Sequence, residues 1–119
     1  MSRFFRRTVS LLTIICFLFS NVRVYADAPA GVMLPEGGVI QAGTGAINDR
    51  VGDTLQVDQN TQRMVVDWRT FSIGAGGTVN FNQTQGASSL VLNRVTGSSS
   101  ASSILGTMNA AGRVFLVNP

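Results

Sequence analysis

Apolar and polar positions alternate with period two through much of the chain, the pattern of half-buried β-strands. Thr54-Leu55-Gln56-Val57-Asp58 and Thr78-Val79-Asn80-Phe81-Asn82 keep it without a break. Gln62 to Trp68 predicts a further strand, with Met64, Val65, Val66 and Trp68 supplying apolar mass. Leu90 to Val95 and Val114 to Val117 are the strongest strand segments, and Val39 to Ala42 is a short one before a Gly-Thr-Gly turn. Turn-formers separate these runs: Gly74-Ala75-Gly76-Gly77, Gly86 and Gly97-Ser98-Ser99-Ser100. Helical spacing is met in Ile104, Leu105 and Met108, which predicts a short helical turn over Ser102 to Asn109 with Gly112 as its stop and Gly106 weakening it.

Short strands with glycine-rich corners fit two all-β architectures. One is a sandwich or closed barrel of antiparallel hairpins. The other is a solenoid whose successive turns stack strand on strand. Asn recurs near strand ends at Asn80, Asn82, Asn93 and Asn118. It tolerates left-handed corners, and its amides stack in ladders. No Asn-Gly hairpin signal occurs after residue 26. These features lean toward the solenoid and leave the sandwich open.

The amino-terminal segment reads as an address. Arg3, Arg6 and Arg7 form a positive region, and an apolar run from Val9 to Phe19 is broken only by Ser10 and Thr13. Val24-Tyr25-Ala26 then supplies the small and moderate residues of a cleavage site, so residues 1–26 are expected to be a secretory signal peptide cut between Ala26 and Asp27. The run falls short of the ~20 residues that span a bilayer. Cys16 lies inside it and is a core residue of that apolar region.

Charge changes its meaning once the leader is set apart. The whole chain carries +3, but from Asp27 onward five arginines face six acids, a net charge of −1. A nucleic-acid partner therefore has no electrostatic support. The segment from Asp27 onward has no Cys and no His, which removes disulfide scaffolds, the usual zinc sites and Cys- or His-based catalysis. It carries all 13 glycines of the chain, about twice the usual ~7%. Neither Gly43-Thr44-Gly45 nor Gly74-Ala75-Gly76-Gly77 has the strand-to-helix setting of a phosphate loop. Asp49, Asp53, Asp58 and Asp67 could pair as the carboxylates of a sugar-cleaving enzyme. Turn and solvent roles suit them better, because Asp49 and Asp53 flank Gly52 and Asp58 closes a strand. Trp68 is expected to anchor the core.

Three stretches together resemble one family. They are Val65-Val66-Asp67-Trp68-Arg69-Thr70-Phe71-Ser72-Ile73-Gly74 with Val79-Asn80-Phe81-Asn82-Gln83, then Leu90-Val91-Leu92-Asn93-Arg94-Val95-Thr96-Gly97, then Ile104-Leu105-Gly106 with Gly112-Arg113-Val114-Phe115-Leu116-Val117-Asn118-Pro119. In this order they resemble the haemagglutination-activity domain, the amino-terminal two-partner-secretion module of filamentous-haemagglutinin-type exoproteins. The upstream Leu34-Pro35-Glu36-Gly37-Gly38 fits its beginning.

The resemblance implies an all-β chain folded as a right-handed parallel β-helix, a solenoid with a small amino-terminal cap, over residues 27–119. It implies a secretion signal read by the periplasmic domains of an outer-membrane transporter, after passage through the general secretory machinery. The product would reach the medium or the cell surface by way of the periplasm of a Gram-negative bacterium. A host cell surface would be met through regions downstream. No enzyme activity, cofactor or metal is implied. The family's pattern continues from Asn-Pro into Asn-Gly-Ile, whereas this sequence stops at Asn118-Pro119. An incomplete carboxy-terminal end is therefore expected, and Asn118 and Pro119 become candidate transporter-recognition residues. A missing cysteine suits a chain threaded unfolded through a pore. Two readings from other classes remain at this stage: a stand-alone β-helical surface adhesin, and a polysaccharide-active β-helix enzyme.

The leader generates the first prediction. Amino-terminal sequencing of exported material should begin at Asp27, and a start elsewhere or retention of Met1 would refute the proposed junction.

Overall fold

The computed structural model describes residues 31–118; the Ala26–Asp27 junction and Pro119 lie outside the described residues. Eight strands follow one another: β1 (Val39–Ala42), β2 (Gly45–Ile47), β3 (Thr54–Gln59), β4 (Arg63–Trp68), β5 (Thr78–Gln83), β6 (Leu90–Val95), β7 (Thr107–Ala110) and β8 (Arg113–Val117). They form two four-stranded sheets, ordered β1-β4-β6-β8 and β2-β3-β5-β7. From β3 onward, successive strands alternate between the sheets, and from β5 onward each pairs in parallel with the strand two before it. The first pair in each sheet is antiparallel: β1 on β4, with a bulge between Ile40 and Ala42, and β2 on β3. The all-β expectation holds, and the sheets are mixed rather than wholly parallel.

Parallel register turns the sequence into rows. Leu55, Val79 and Met108 share one row, and Val57, Phe81 and Ala110 the next. In the other sheet Met64, Val91 and Val114 align, as do Val66, Asn93 and Leu116. These rows point inward. Val57, Met64, Val66, Val79 and Val91 are fully buried, as the period-two pattern requires. Trp68 is buried at 1% exposure, as expected of a core anchor. It meets Phe71 edge to face, with centroids 5.4 Å apart and planes at 79°.

Polar side chains also enter this core, and each finds partners. Gln59 Nε2 donates to the carbonyls of Thr61, Gln62 and Leu90 at 2.8, 3.1 and 3.0 Å. Gln83 Nε2 donates to Gln59 Oε1 at 3.1 Å, and Gln83 Oε1 accepts the Gly112 amide at 2.6 Å. A ladder of two carboxamides and one backbone amide thus runs through three successive turns. On the other side of the core, Trp68 Nε1 donates to Asn93 Oδ1 at 2.9 Å, and Asn93 Nδ2 donates to the Phe115 carbonyl at 3.2 Å.

Two local expectations are corrected. The segment Ser102 to Asn109 is extended: Ile104 bridges to Ile73 in parallel, and Thr107–Ala110 is β7 on the edge of β5. Pairing to a preformed strand outweighs three apolar residues at helical spacing. Gly106 sits where a Cβ would collide with the Gly77 carbonyl and come within 2.5 Å of Ile73 Cγ2, so this glycine permits close approach. Second, Gly45, read from sequence as the end of the Gly-Thr-Gly turn, opens β2 (Gly45–Ile47), a strand the pattern did not predict. Gly43 makes the corner before it at φ +83°, a left-handed conformation suited to glycine.

The ladder makes a measurable claim. Gln83→Leu adds apolar volume but strands the Gly112 amide and one Gln59 acceptor, and should cost about 1–3 kcal/mol. Gln85→Leu, at an exposed neighbouring site, should change stability by less than about 0.5 kcal/mol. Urea unfolding of both variants separates them.

Candidate functional site

Because the inward rows are used by the core, chemistry available to a partner lies on the two outward faces and at strand ends. On β2-β3-β5-β7 the outward rows are Thr54–Thr78–Thr107, Gln56–Asn80–Asn109 and Asp58–Asn82. Asn109 Nδ2 donates to Asn80 Oδ1 at 2.8 Å, which is the amide ladder anticipated from the recurrence of Asn. Gln56, Asn80, Asn82 and Asn109 line a shallow open groove of about 540 Å³.

Asp58 organises the edge of this face. It accepts Asn48 Nδ2 at 3.1 Å, Gln56 Nε2 at 3.1 Å and Asn82 Nδ2 at 3.2 Å. The bonds from Asn48 and Gln56 hold its carboxyl below the usual value, assisted by Asn82 and opposed by slight desolvation. Its role is thus more than a strand-end turn: it ties β2, β3 and β5 together.

The β1-β4-β6-β8 outward face differs. Its rows are Arg63–Leu90–Arg113, Val65–Leu92–Phe115 and Asp67–Arg94–Val117. Arg94 grips Asp67 with two bonds, Nε to Oδ1 at 2.7 Å and Nη2 to Oδ2 at 3.0 Å. Asp58 and Asp67 therefore lie on the outward faces of different sheets. Asp53 pairs with Arg50 at 3.5 Å, beside the Gly52 turn. Asp58 and Asp67 thus do not converge as a carboxylate pair, and among the described residues no group of three His, Cys, Asp or Glu could hold a metal.

Asn118 follows β8 and is half-buried. Its Nδ2 donates to the Ser100 carbonyl and to Ser102 Oγ, both at 2.9 Å, so it fastens the β6–β7 loop to the end of β8. Its Oδ1 is buried without a partner among the described residues. The structure gives Asn118 a holding role in a corner; Pro119 is outside the described residues. Sequence reasoning missed Gln59 and Gln83, because a glutamine in an alternating strand gives no sign that it points inward to another glutamine. Aligning the strands in parallel register would have placed the two opposite each other.

Comparison with known proteins places these elements. Residues 34–119 match the model of the TPS secretion domain family. A heme/hemopexin-binding protein of Haemophilus influenzae is 38% identical over 86 residues, covering 72% of this chain and 9% of that protein. A second heme/hemopexin-binding protein of that species is 29% identical over 111 residues, covering 93% of this chain and 11% of the relative. The chain thus spans only about a tenth of the curated relatives it matches. Among solved structures, the crystal structure of the HMW1 secretion domain from Haemophilus influenzae superposes with a TM-score of 0.61 at 28% identity, over 72% of this chain and 21% of that one.

Asp58 supplies a pH test. Its folded pKa is depressed, so its contribution to stability is complete above the unfolded carboxylate value near 3.9 and is lost as pH falls through the lower folded value. Asp58→Asn should therefore destabilise at pH 7 and differ little from the parent at pH 2. Denaturant midpoints at the two pH values check this; an equal difference at both would remove the carboxylate from the account.

Proposed function

The chain belongs to the TPS secretion domain family, and we propose that it is the secretion-signal module of a larger bacterial exoprotein, recognised by a cognate outer-membrane transporter. The match over residues 34–119, which takes in all eight strands, carries this reading. In the fuller form of the proposal, residues 1–26 direct entry into the periplasm through the general secretory machinery. Residues 27–119 then form the amino-terminal part of the domain, of filamentous-haemagglutinin type. The parallel strands from β3 onward are the first turns of a right-handed β-helix, with the antiparallel β1 and β2 as its cap. The exoprotein ends in the medium or on the cell surface, and host contact belongs to regions other than this segment.

Several observations support a binding module over an enzyme. Asp58 and Asp67 lie on different sheets, and Asp53, Asp58 and Asp67 are engaged by Arg50, by side-chain amides and by Arg94. From Asp27 onward the chain lacks His, Cys and Tyr, three of the usual axial ligands to haem. Haem or hemopexin binding, named for the much longer relatives, is accordingly not assigned to this segment.

Asn118 tests how recognition and folding divide. A chain continued past Pro119 by Asn-Gly-Ile and further turns, co-expressed with its transporter, should appear in the medium; the 119-residue chain should accumulate in the periplasm. Asn118→Ala removes two hydrogen bonds, worth about 1 kcal/mol each. Secreted and periplasmic amounts are to be measured beside the melting temperature. Lost secretion at unchanged stability assigns Asn118 to recognition, proportionate loss of both assigns it to the corner, and unaltered secretion removes it from the site. Absence of the continued parent chain from the medium would overturn the export reading.

A further inference from the structure

We propose that the outward face of β1-β4-β6-β8 is an interfacial lipid-binding surface. It takes phosphate-bearing headgroups at Arg63 and Arg113 and sets the apolar row beside them into the acyl boundary. The proposal concerns the folded chain and stands apart from the export reading.

The two outward faces are built by one chain in one register, so each is a control for the other. On β2-β3-β5-β7 the outward strand positions are threonines, carboxamides and Asp58, and Ala46 alone is apolar. That is the composition of a solvated face. On β1-β4-β6-β8 the row Ala42–Val65–Leu92–Phe115 is apolar across all four strands. The next row is Val39–Asp67–Arg94–Val117. Its two charges neutralise each other in the Arg94–Asp67 pair, and its ends are valines. Val39, Phe115 and Val117 are 57, 50 and 47% exposed. Scattered surface apolar residues need no explanation, but rows in register across one face and absent from its counterpart do.

Charge and layering name the occupant. Arg63–Leu90–Arg113 borders the apolar row on one side. The two arginines are exposed and stand two strand spacings apart, about 10 Å. Among the described residues neither has a carboxylate partner, whereas Arg50, Arg69 and Arg94 are paired with Asp53, Glu36 and Asp67. A guanidinium meets a phosphate through two parallel N–H···O bonds, and its alkyl stem can follow an apolar surface while its head stays in a polar layer. A lipid interface offers that layering, phosphates above and acyl chains below. Other occupants answer less of the pattern. Strands β4 and β6 are hydrogen-bonded on both edges, so a peptide laid over them gains no backbone pairing. A second copy of the face brings no free carboxylate to the arginines, because Asp67 is held by Arg94.

The test uses the full chain with vesicles of phosphatidylglycerol or of phosphatidylcholine. The leader, with Arg3, Arg6, Arg7 and its apolar run, would carry the chain to anionic vesicles unaided, so the readout must be local to the face. An environment-sensitive fluorophore is attached in a Cys16→Ser background through Val39→Cys, Val117→Cys or Asn109→Cys in turn. Val39 and Val117 lie at opposite edges of the proposed face, and Asn109 lies on the other sheet. On phosphatidylglycerol the dye at positions 39 and 117 should shift to the blue and be quenched by bromine on the acyl chains. The dye at position 109 should not respond, and phosphatidylcholine should give a much weaker signal. Each arginine favours contact with an anionic surface about fivefold, so Arg63→Gln with Arg113→Gln should lose most of the response. Added salt should weaken it in the parent. Melting temperatures accompany every variant, and the salt dependence of the parent decides the matter if the glutamine pair unfolds. Equal response at all three positions, or response at 117 without 39, overturns the face. So does a response indifferent to the arginines, to salt or to lipid charge, or none at all from the folded chain. A blue shift that grows with protein concentration in the absence of lipid makes a second copy the occupant and also overturns it. Each of these results leaves the export reading intact.

Discussion

A carboxamide inside an apolar core must have both its donor and its acceptor satisfied, and in this molecule that requirement fixes how the turns stack. Gln59 uses its amide nitrogen on three carbonyls of its own and the following turn, and its oxygen receives Gln83. Gln83 in turn receives the backbone amide of Gly112. A slip of one residue in any strand would leave a buried polar group unpaired and send the apolar set to the solvent side. Apolar contacts alone are less particular, since Val, Leu and Phe pack acceptably in neighbouring registers. Everything on the outside inherits its position from this interior alignment: the amide groove, the Arg94–Asp67 pair, and the row of Val65, Leu92 and Phe115.

Much of the strand content was legible in the sequence because period-two alternation is a direct consequence of strand geometry. Leu90–Val95 and Val39–Ala42 form strands with the bounds the pattern predicts, and Thr54, Thr78 and Arg63 begin strands at or beside the predicted positions. What failed was local pattern set against distant pairing. Gly45–Ile47 is a strand because β3 offers it an edge, and Thr107–Ala110 because β5 does. The repeat itself was hidden for a physical reason. Thr78 follows Thr54 by 24 residues and Thr107 follows Thr78 by 29, because the loops between strands differ in length while the rows stay in register. No fixed period exists to be found. The candidate site was less legible: Asn118 was singled out by resemblance, and its two bonds to the β6–β7 loop give it a structural task that sequence did not reveal.

Resemblance, family match and geometry bear on the function at different levels. The family match covers the eight strands and makes export the reading to test. The similarity to the HMW1 secretion domain is a likeness of fold over most of this chain and a fifth of that one. Geometry distinguishes the two outward faces. One outward face is mostly polar, and the other combines apolar side chains with arginines.

The parallel pairing of β4, β6 and β8 has a mechanical meaning as well. The hydrogen bonds joining these strands run across them, along the direction in which the turns are stacked. Tension applied along that direction at β8 would load its bonds to β6 a few at a time, and the turn would peel away before the next felt the pull. Tension along the strands would load a whole ladder at once, in shear. The molecule is therefore soft to unwinding in one direction and stiff in the other, an anisotropy set by topology.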